Sequence, residues 1–294
     1  MMPNFSSDMR VAVILPAAGR GERFAAGDTR AGHSSAASKI EFLLEGRPVF
    51  LHALTAFCGR TDVVQVLLAV APDRIKEFED RYGDRLRDLG VTLLAGAKQG
   101  RSETVELALK QVCETATHVA VHDAARPLVN AALIDRVFAA AAHHGAVVPA
   151  LPVADTLVRG GVLLDMPEAV DPADAILGIE PSSATGVRPV TGAVDRSDVF
   201  GVQTPQVFEI SLLRRAYAAV VSGRASGLAS SATTATDDAS LVTALGEPVV
   251  LVEGDPANLK LTHPADAEML AALLDRRRAT QAARDPLFFD DDEG

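Results

Sequence analysis

The run Leu15-Pro16-Ala17-Ala18-Gly19-Arg20-Gly21-Glu22-Arg23 puts small residues and two arginines directly after an apolar segment. Small side chains let backbone N–H groups approach a phosphate closely, and the N-terminus of a following helix would add its dipole. Two known phosphate motifs do not apply. Phe24 stands where a dinucleotide fingerprint needs its third Gly, and no Gly-x-x-x-x-Gly-Lys-Ser/Thr string occurs. A tight strand-to-helix turn would explain the run as well as a nucleotide site does. Its company favours the site: Arg23 and Lys39 bracket the Ala-, Gly- and Ser-rich residues 25–38 and can fold back onto one triphosphate.

A second group lies at Val121-His122-Asp123-Ala124-Ala125-Arg126-Pro127. Asp123 and Arg126 could merely order the turn before Pro127. A charged strand end at the ligand-binding edge of an open sheet is costly, however, unless something uses it. In Gly100-Arg101-Ser102-Glu103-Thr104-Val105, Ser102 or Arg101 is expected to cap a helix. Thr104 would then face the same crevice from the first turn. Val194-Asp195-Arg196 and Asn258-Leu259-Lys260 add later cations, and Gln203-Thr204-Pro205-Gln206 adds polar groups between them.

The elements that must position these residues are legible as periodicity. Apolar runs at 11–15, 63–70, 91–94 and 118–122 read as parallel strands covered on both faces. Three- and four-residue apolar steps at 47–57, 102–112 and 133–143 read as helices between them. A strand at 146–151, helices at 210–221 and 237–245, a strand at 249–253 and a closing helix at 264–280 follow. Asp266 and Glu268 early in the last helix and Arg276-Arg277-Arg278 late in it suit its dipole. The alternation predicts an α/β fold with a Rossmann-like, doubly wound, mostly parallel sheet. Residues 160–192, rich in Pro and Gly, predict an extended excursion, and 223–236 a flexible connection. The expected organisation is a disordered 1–10, one domain over 11–282 with an extended arm at about 155–195, and an acidic tail over 283–294.

Composition narrows the function. Lys and Arg number 28 against 39 Asp and Glu, a net charge of −11, with 4% aromatic residues and no Trp. That balance argues against a nucleic-acid face but permits a local cationic pocket for a small anion. Cys58 and Cys113 have apolar neighbours and no ligand spacing, so they read as core residues in a reducing compartment. Residues 1–10 lack an apolar signal core and no stretch reaches membrane-spanning length, so the expected location is the cytoplasm.

Taken in order, the runs at 15–23, 121–127, 193–196, 203–206, 235–239 and 251–260 resemble the 2-C-methyl-D-erythritol 4-phosphate cytidylyltransferase family, over nearly the whole chain. The resemblance implies a nucleotidyltransferase fold with an extended β-arm, acting in non-mevalonate isoprenoid synthesis. It implies attack of the methylerythritol 4-phosphate on the α-phosphate of CTP, with loss of pyrophosphate. By the same resemblance Arg23 and Lys39 stabilise the transition state, and Arg196 and Lys260 are further catalytic cations. Asp123, Arg126, Thr156 and Thr204 match contacts to the polyol phosphate. Ala17, Ala18, Gly19, Gly100, Arg101, Thr104 and Ala124 match contacts to the nucleotide. Mg²⁺ on the triphosphate, with no protein ligand assigned, and a homodimer are also implied. The chain departs from the family pattern at Ser38-Lys39-Ile40-Glu41-Phe42, at Gly96–Arg101, and in a longer segment over 158–192. A ribitol 5-phosphate cytidylyltransferase, which shares the fold and the CTP loop, is the nearest alternative. A non-catalytic nucleotide-binding protein is the more distant one.

Overall fold

Val11–Ala17 (β1) alternates its side chains between two cores, which is why the run is apolar throughout. Val11, Val13 and Leu15 enter one cluster with Phe50, Leu54, Phe57, Phe78, Leu133, Ile134 and Leu270. Ala12 and Ile14 enter the other with Val105, Leu109, Val119, Leu213, Tyr217 and Val242. A strand covered on both faces needs apolar residues at every position. The computed structural model describes residues 9–19, 24, 39–98, 100–164, 186–225 and 237–284.

After the 3-10 turn Lys39–Glu41, a small hairpin pairs Leu43–Leu44 (β2) with Arg47–Pro48 (β3). The chain continues through Val49–Thr55 (α1), Val63–Val70 (β4), Ile75–Asp88 (α2), Val91–Ala95 (β5), Arg101–Leu109 (α3), His118–Val121 (β6) and Ala131–Ala141 (α4). Ala146–Pro152 (β7), Leu157–Gly160 (β8), Val190–Val194 (β9), Phe200–Val202 (β10) and Gln206–Glu209 (β11) follow. Ile210–Ala225 (α5), Asp238–Ala244 (α6), Val250–Glu253 (β12) and Pro264–Arg284 (α7) complete the described elements.

The main sheet runs in the order β7-β11-β6-β1-β4-β5, with β12 paired to β7. β1 lies parallel to both β4 and β6, with Val13 opposite Val66 and Ala120. β11 is antiparallel to β6 and β7 and separates the two parallel groups. The carboxyl ends of β1 and β6 are therefore neighbours, the edge at which open α/β sheets bind ligands.

The described residues fall into two compact units, Met1–Ala150 with Val202–Gly294, and Leu151–Gly201. The second contains the antiparallel pair β8 and β9, with Leu157 opposite Val194, extended by a bridge between Leu164 and Val187. Val158, Val162 and Val190 are exposed on it. Both sides of the expected arm are thus extended chain. Among the described residues no helix is long and apolar enough to cross a membrane.

The structure corrects two local expectations. The segment at 47–57 opens as a hairpin strand and becomes helical only at Val49, because Glu45 (φ 52°) and Gly46 (φ 73°) form a two-residue turn before it. Neither Ser102 nor Arg101 caps α3; Gly100 occupies the N-cap without a side-chain bond, and Arg101 turns elsewhere. The structure also adds α2 and β11, which the periodicity reading does not single out. Phe78, Tyr82 and Leu86 recur at four-residue steps in α2, diluted by the charged residues between them. The expected connection 223–236 begins instead as the last turn of α5, which runs to Ala225. Its remainder 226–236, the segment 25–38, the middle of the arm over 165–185, residues 1–8 of the expected disordered terminus and 285–294 of the expected tail lie outside the described residues.

Candidate active site

β6 ends at Val121 and delivers His122 and Asp123 to the crevice, both almost fully buried. The turn is tied from three sides. Asp123 N–H donates to the Thr204 hydroxyl at 3.1 Å, and that hydroxyl lies 3.0 Å from His122 Nδ1. His122 Nε2 lies 3.2 Å from the Arg126 carbonyl oxygen. These partners assign a neutral imidazole that donates from Nε2 and accepts at Nδ1. Burial agrees with it, pushing the His122 pKa down to about 4.

Asp123 is surrounded by cations drawn from three parts of the chain. Lys260 Nζ lies 2.8 Å from Oδ2, Arg101 Nε 3.2 Å from Oδ1 and Arg126 Nε 3.7 Å from Oδ2. Burial alone would raise the carboxyl pKa. The charges of Arg101, Lys260 and Arg126 outweigh it and hold Asp123 well below the usual carboxylate range. Arg101 is itself fixed from behind by Asp238, a fully buried carboxylate whose Oδ2 lies 2.6 Å from its Nη1. Tyr217 donates its hydroxyl to the other Asp238 oxygen at 2.5 Å. Three cations against two carboxylates leave a local positive excess on a chain of net charge −11. That arrangement suits phosphate oxygens, which fixed charges stabilise without reorganising.

Arg126 closes the site toward the Lys260 loop. It donates to the Asn258 carbonyl at 2.7 Å and to Val202 O at 3.4 Å, and Asn258 Nδ2 donates to Thr204 O at 2.8 Å. Gln203 and Asp255 exchange two further bonds across the same gap, at 2.9 and 3.0 Å. Lys260 is thus held at Asp123 by a backbone that the Gln203–Thr204 segment braces.

Ala17, Ala18 and Gly19 lie at the carboxyl end of β1, and Gly96, after β5, packs against them. A Cβ on Gly96 would lie 2.9 Å from the Ala18 Cβ and 2.8 Å from Thr104 Cγ2, so only glycine fits. The buried Thr104 hydroxyl accepts from Ala97 N–H at 3.0 Å and donates to Gly100 O at 2.8 Å, stitching the 96–100 loop to α3. Ala124 is buried in the turn after Asp123.

One unit therefore brings Asp123, Arg126, Arg101, Lys260 and Thr204 together. Lys39 stands on the 3-10 turn Lys39–Glu41 of the same unit. Thr156 and Arg196 belong to the other unit, where Arg196 donates to Val153 O at 3.1 Å and also contacts Ala154 O. Arg23 lies outside the described residues. Sequence reasoning gave no role to His122, Asp238 or Tyr217. Asp238 stands in an Asp237-Asp238 pair, but nothing in the spacing tells the helix cap, Asp237, from the buried counter-ion, Asp238. Among the described residues no group of three or more His, Cys, Asp or Glu side chains could hold a metal ion. Asp123 is already saturated by cations, while Asp237 accepts from Ser240 N–H and Gln206 Nε2. These residues do not form a metal cage.

A family model described as IspD, 2-C-methyl-D-erythritol 4-phosphate cytidylyltransferase, matches residues 11–172 and 173–276. The chain is similar to the protein of that name from Acidobacterium capsulatum, 36% identical over 270 residues that span 92% of this chain and 99% of that one. A counterpart in Rhodopirellula baltica is 36% identical over 280 residues, 92% of this chain and 96% of the other. The crystal structure of 2-C-methyl-D-erythritol 4-phosphate cytidylyltransferase from Thermus thermophilus matches with a TM-score of 0.63 at 34% identity, covering 91% of this chain and 100% of that one.

Proposed function

The chain belongs to the 2-C-methyl-D-erythritol 4-phosphate cytidylyltransferase family, and we infer that it transfers the cytidylyl group of CTP to 2-C-methyl-D-erythritol 4-phosphate. A phosphate oxygen of the polyol attacks the α-phosphorus of CTP, the bond to the β-phosphate breaks, and pyrophosphate leaves. The observation that carries this reading is the cluster at the end of β6, where Lys260 and Arg101 meet Asp123 beside the small-residue end of β1.

The chemistry asks for positioning and charge stabilisation rather than covalent help. Negative charge builds on the oxygens of the pentacoordinate phosphorus, so cations fixed in advance stabilise it more than the ground state. Arg23 and Lys39 take that role on the nucleotide side. Lys260 and Arg196 serve the polyol phosphate with Arg126, Thr156 and Thr204, and the ionised Asp123 keeps Lys260 and Arg101 aimed. Ala17, Ala18, Gly19, Gly100, Arg101, Thr104 and Ala124 line the nucleotide. Mg²⁺ would accompany the triphosphate and supply positive charge to its oxygens, and no residue of this chain is assigned to hold it. The protein is proposed to work as a cytoplasmic homodimer.

Lys39→Ala tests the assignment. Turnover should fall by two or more orders of magnitude, about 3 kcal/mol of transition-state stabilisation, with the circular dichroism spectrum unchanged. Activity within a few-fold of the parent would remove Lys39 from the mechanism.

A further inference from the structure

Glu41 is a buried carboxylate that the reaction does not use. It stands two residues after Lys39 in the same 3-10 turn and is 6% exposed. Three groups converge on it from the segment at α2. Arg74 Nη1 lies 2.6 Å from Oε2, Arg81 Nη1 2.8 Å from Oε1, and the Tyr82 hydroxyl donates to Oε1 at 3.3 Å. Glu77 shares both arginines, at 2.9 and 3.1 Å. Arg74 also stacks on Phe78 and Arg81 on Tyr82, and both rings pack on Phe50 of α1. Both guanidinium groups thus have a ring and a second carboxylate as partners besides Glu41, Arg74 largely buried and Arg81 half exposed.

Glue between two elements needs no charge: Ile40, 4% exposed, already buries this turn in the core. A buried ion pair is seldom retained for stability, since apolar replacements of similar volume usually serve as well. It supplies direction instead, because an ion pair fixes angle where an apolar contact tolerates rotation. The turn carries Lys39 immediately after residues 25–38, and Phe42 N–H closes it on the Lys39 carbonyl at 3.3 Å. Rotation of the turn would swing the lysine. We propose that Glu41, clamped by Arg74 and Arg81, is a positioning residue that fixes the direction of Lys39 toward the triphosphate. This rests on the role given to Lys39 above.

The test is a double-mutant cycle on the full chain, with steady-state kinetics for CTP and 2-C-methyl-D-erythritol 4-phosphate and a thermal melt for each variant. Glu41→Gln keeps the shape of the side chain and removes its charge. Alone it should lower kcat and kcat/KM about tenfold together, as expected when an interaction of the transition state is lost. In the Lys39→Ala background it should change kcat less than twofold, because the residue acts through that lysine. An equal loss in both backgrounds, or a lower melting temperature with kcat within twofold of the parent, would overturn the proposal. Lys39→Ala with near-normal turnover would instead sink the reading of Lys39 itself, and Glu41 with it. Should Glu41→Gln not fold, Arg81→Gln leaves Arg74 in place and must show a smaller loss with the same dependence on Lys39. Its absence there would count against the proposal equally.

Discussion

His122 and Asp123 are consecutive residues that burial treats in opposite ways. Burial leaves His122 neutral, with a pKa of about 4 against an ordinary 6.5, because the imidazolium would lose its hydration in a site already crowded by cations. Asp123 stays ionised because those cations are present. Between pH 6.5 and about 4 the unfolded chain takes up a proton at His122 that the native chain refuses. Stability from this residue is complete above 6.5 and drains away as the pH falls toward 4, by about 3 kcal/mol in all. Urea midpoints should therefore drop through that window, and His122→Gln should flatten the drop. His118 and His52, lowered in the same direction by burial, leave a residual slope. A His122→Gln profile as steep as the parent's would show that the imidazole is not the group responsible.

The elements divide by how local their signals are. β1, β4, β5 and β6 read directly from the sequence because each is a run rich in Val, Leu and Ala, broken only by Gln65, Thr92 and His118, and β1 is buried on both faces while the edge strand β5 exposes Thr92. So do α3, α4 and α7, where apolar residues recur at three- and four-residue steps, as at Ala267, Leu270, Ala271 and Leu274 in α7. The candidate site was legible where charge follows such a run: Asp123 and Arg126 stand out in the turn just after β6. β11 was not legible. Four residues, Gln206–Glu209, carry no periodicity, and their place between β6 and β7 comes from pairing with strands far away in sequence. The same limit hid Asp238, whose link to Arg101 spans 137 residues. Phe208, fully buried in β11 and packed with Val119 and Leu213, carries the energetic weight of that insertion. Phe208→Ala should cost about 3–5 kcal/mol of unfolding free energy in urea titration. A loss below about 1 kcal/mol would mean that β11 contributes little to joining the two parallel groups.

At the scale of the molecule, acidity and function are reconciled by segregation. The chain carries a charge of −11, yet Arg101, Arg126 and Lys260 meet at the end of β6, so an anionic substrate finds fixed cations there despite the negative average. The unit Leu151–Gly201 exposes Val158, Val162 and Val190, residues that a partner subunit would cover. Sedimentation velocity should accordingly give a species of twice the chain mass at micromolar concentration, and a monomer there would remove the dimer from the account. The reaction itself is read by pyrophosphate release from CTP and Mg²⁺ with 2-C-methyl-D-erythritol 4-phosphate or ribitol 5-phosphate as acceptor. Release should be rapid with the methylerythritol phosphate, and kcat/KM at least about a hundredfold lower with ribitol phosphate. Preference for ribitol phosphate, or CTP binding without turnover on either acceptor, would contradict the proposed reaction.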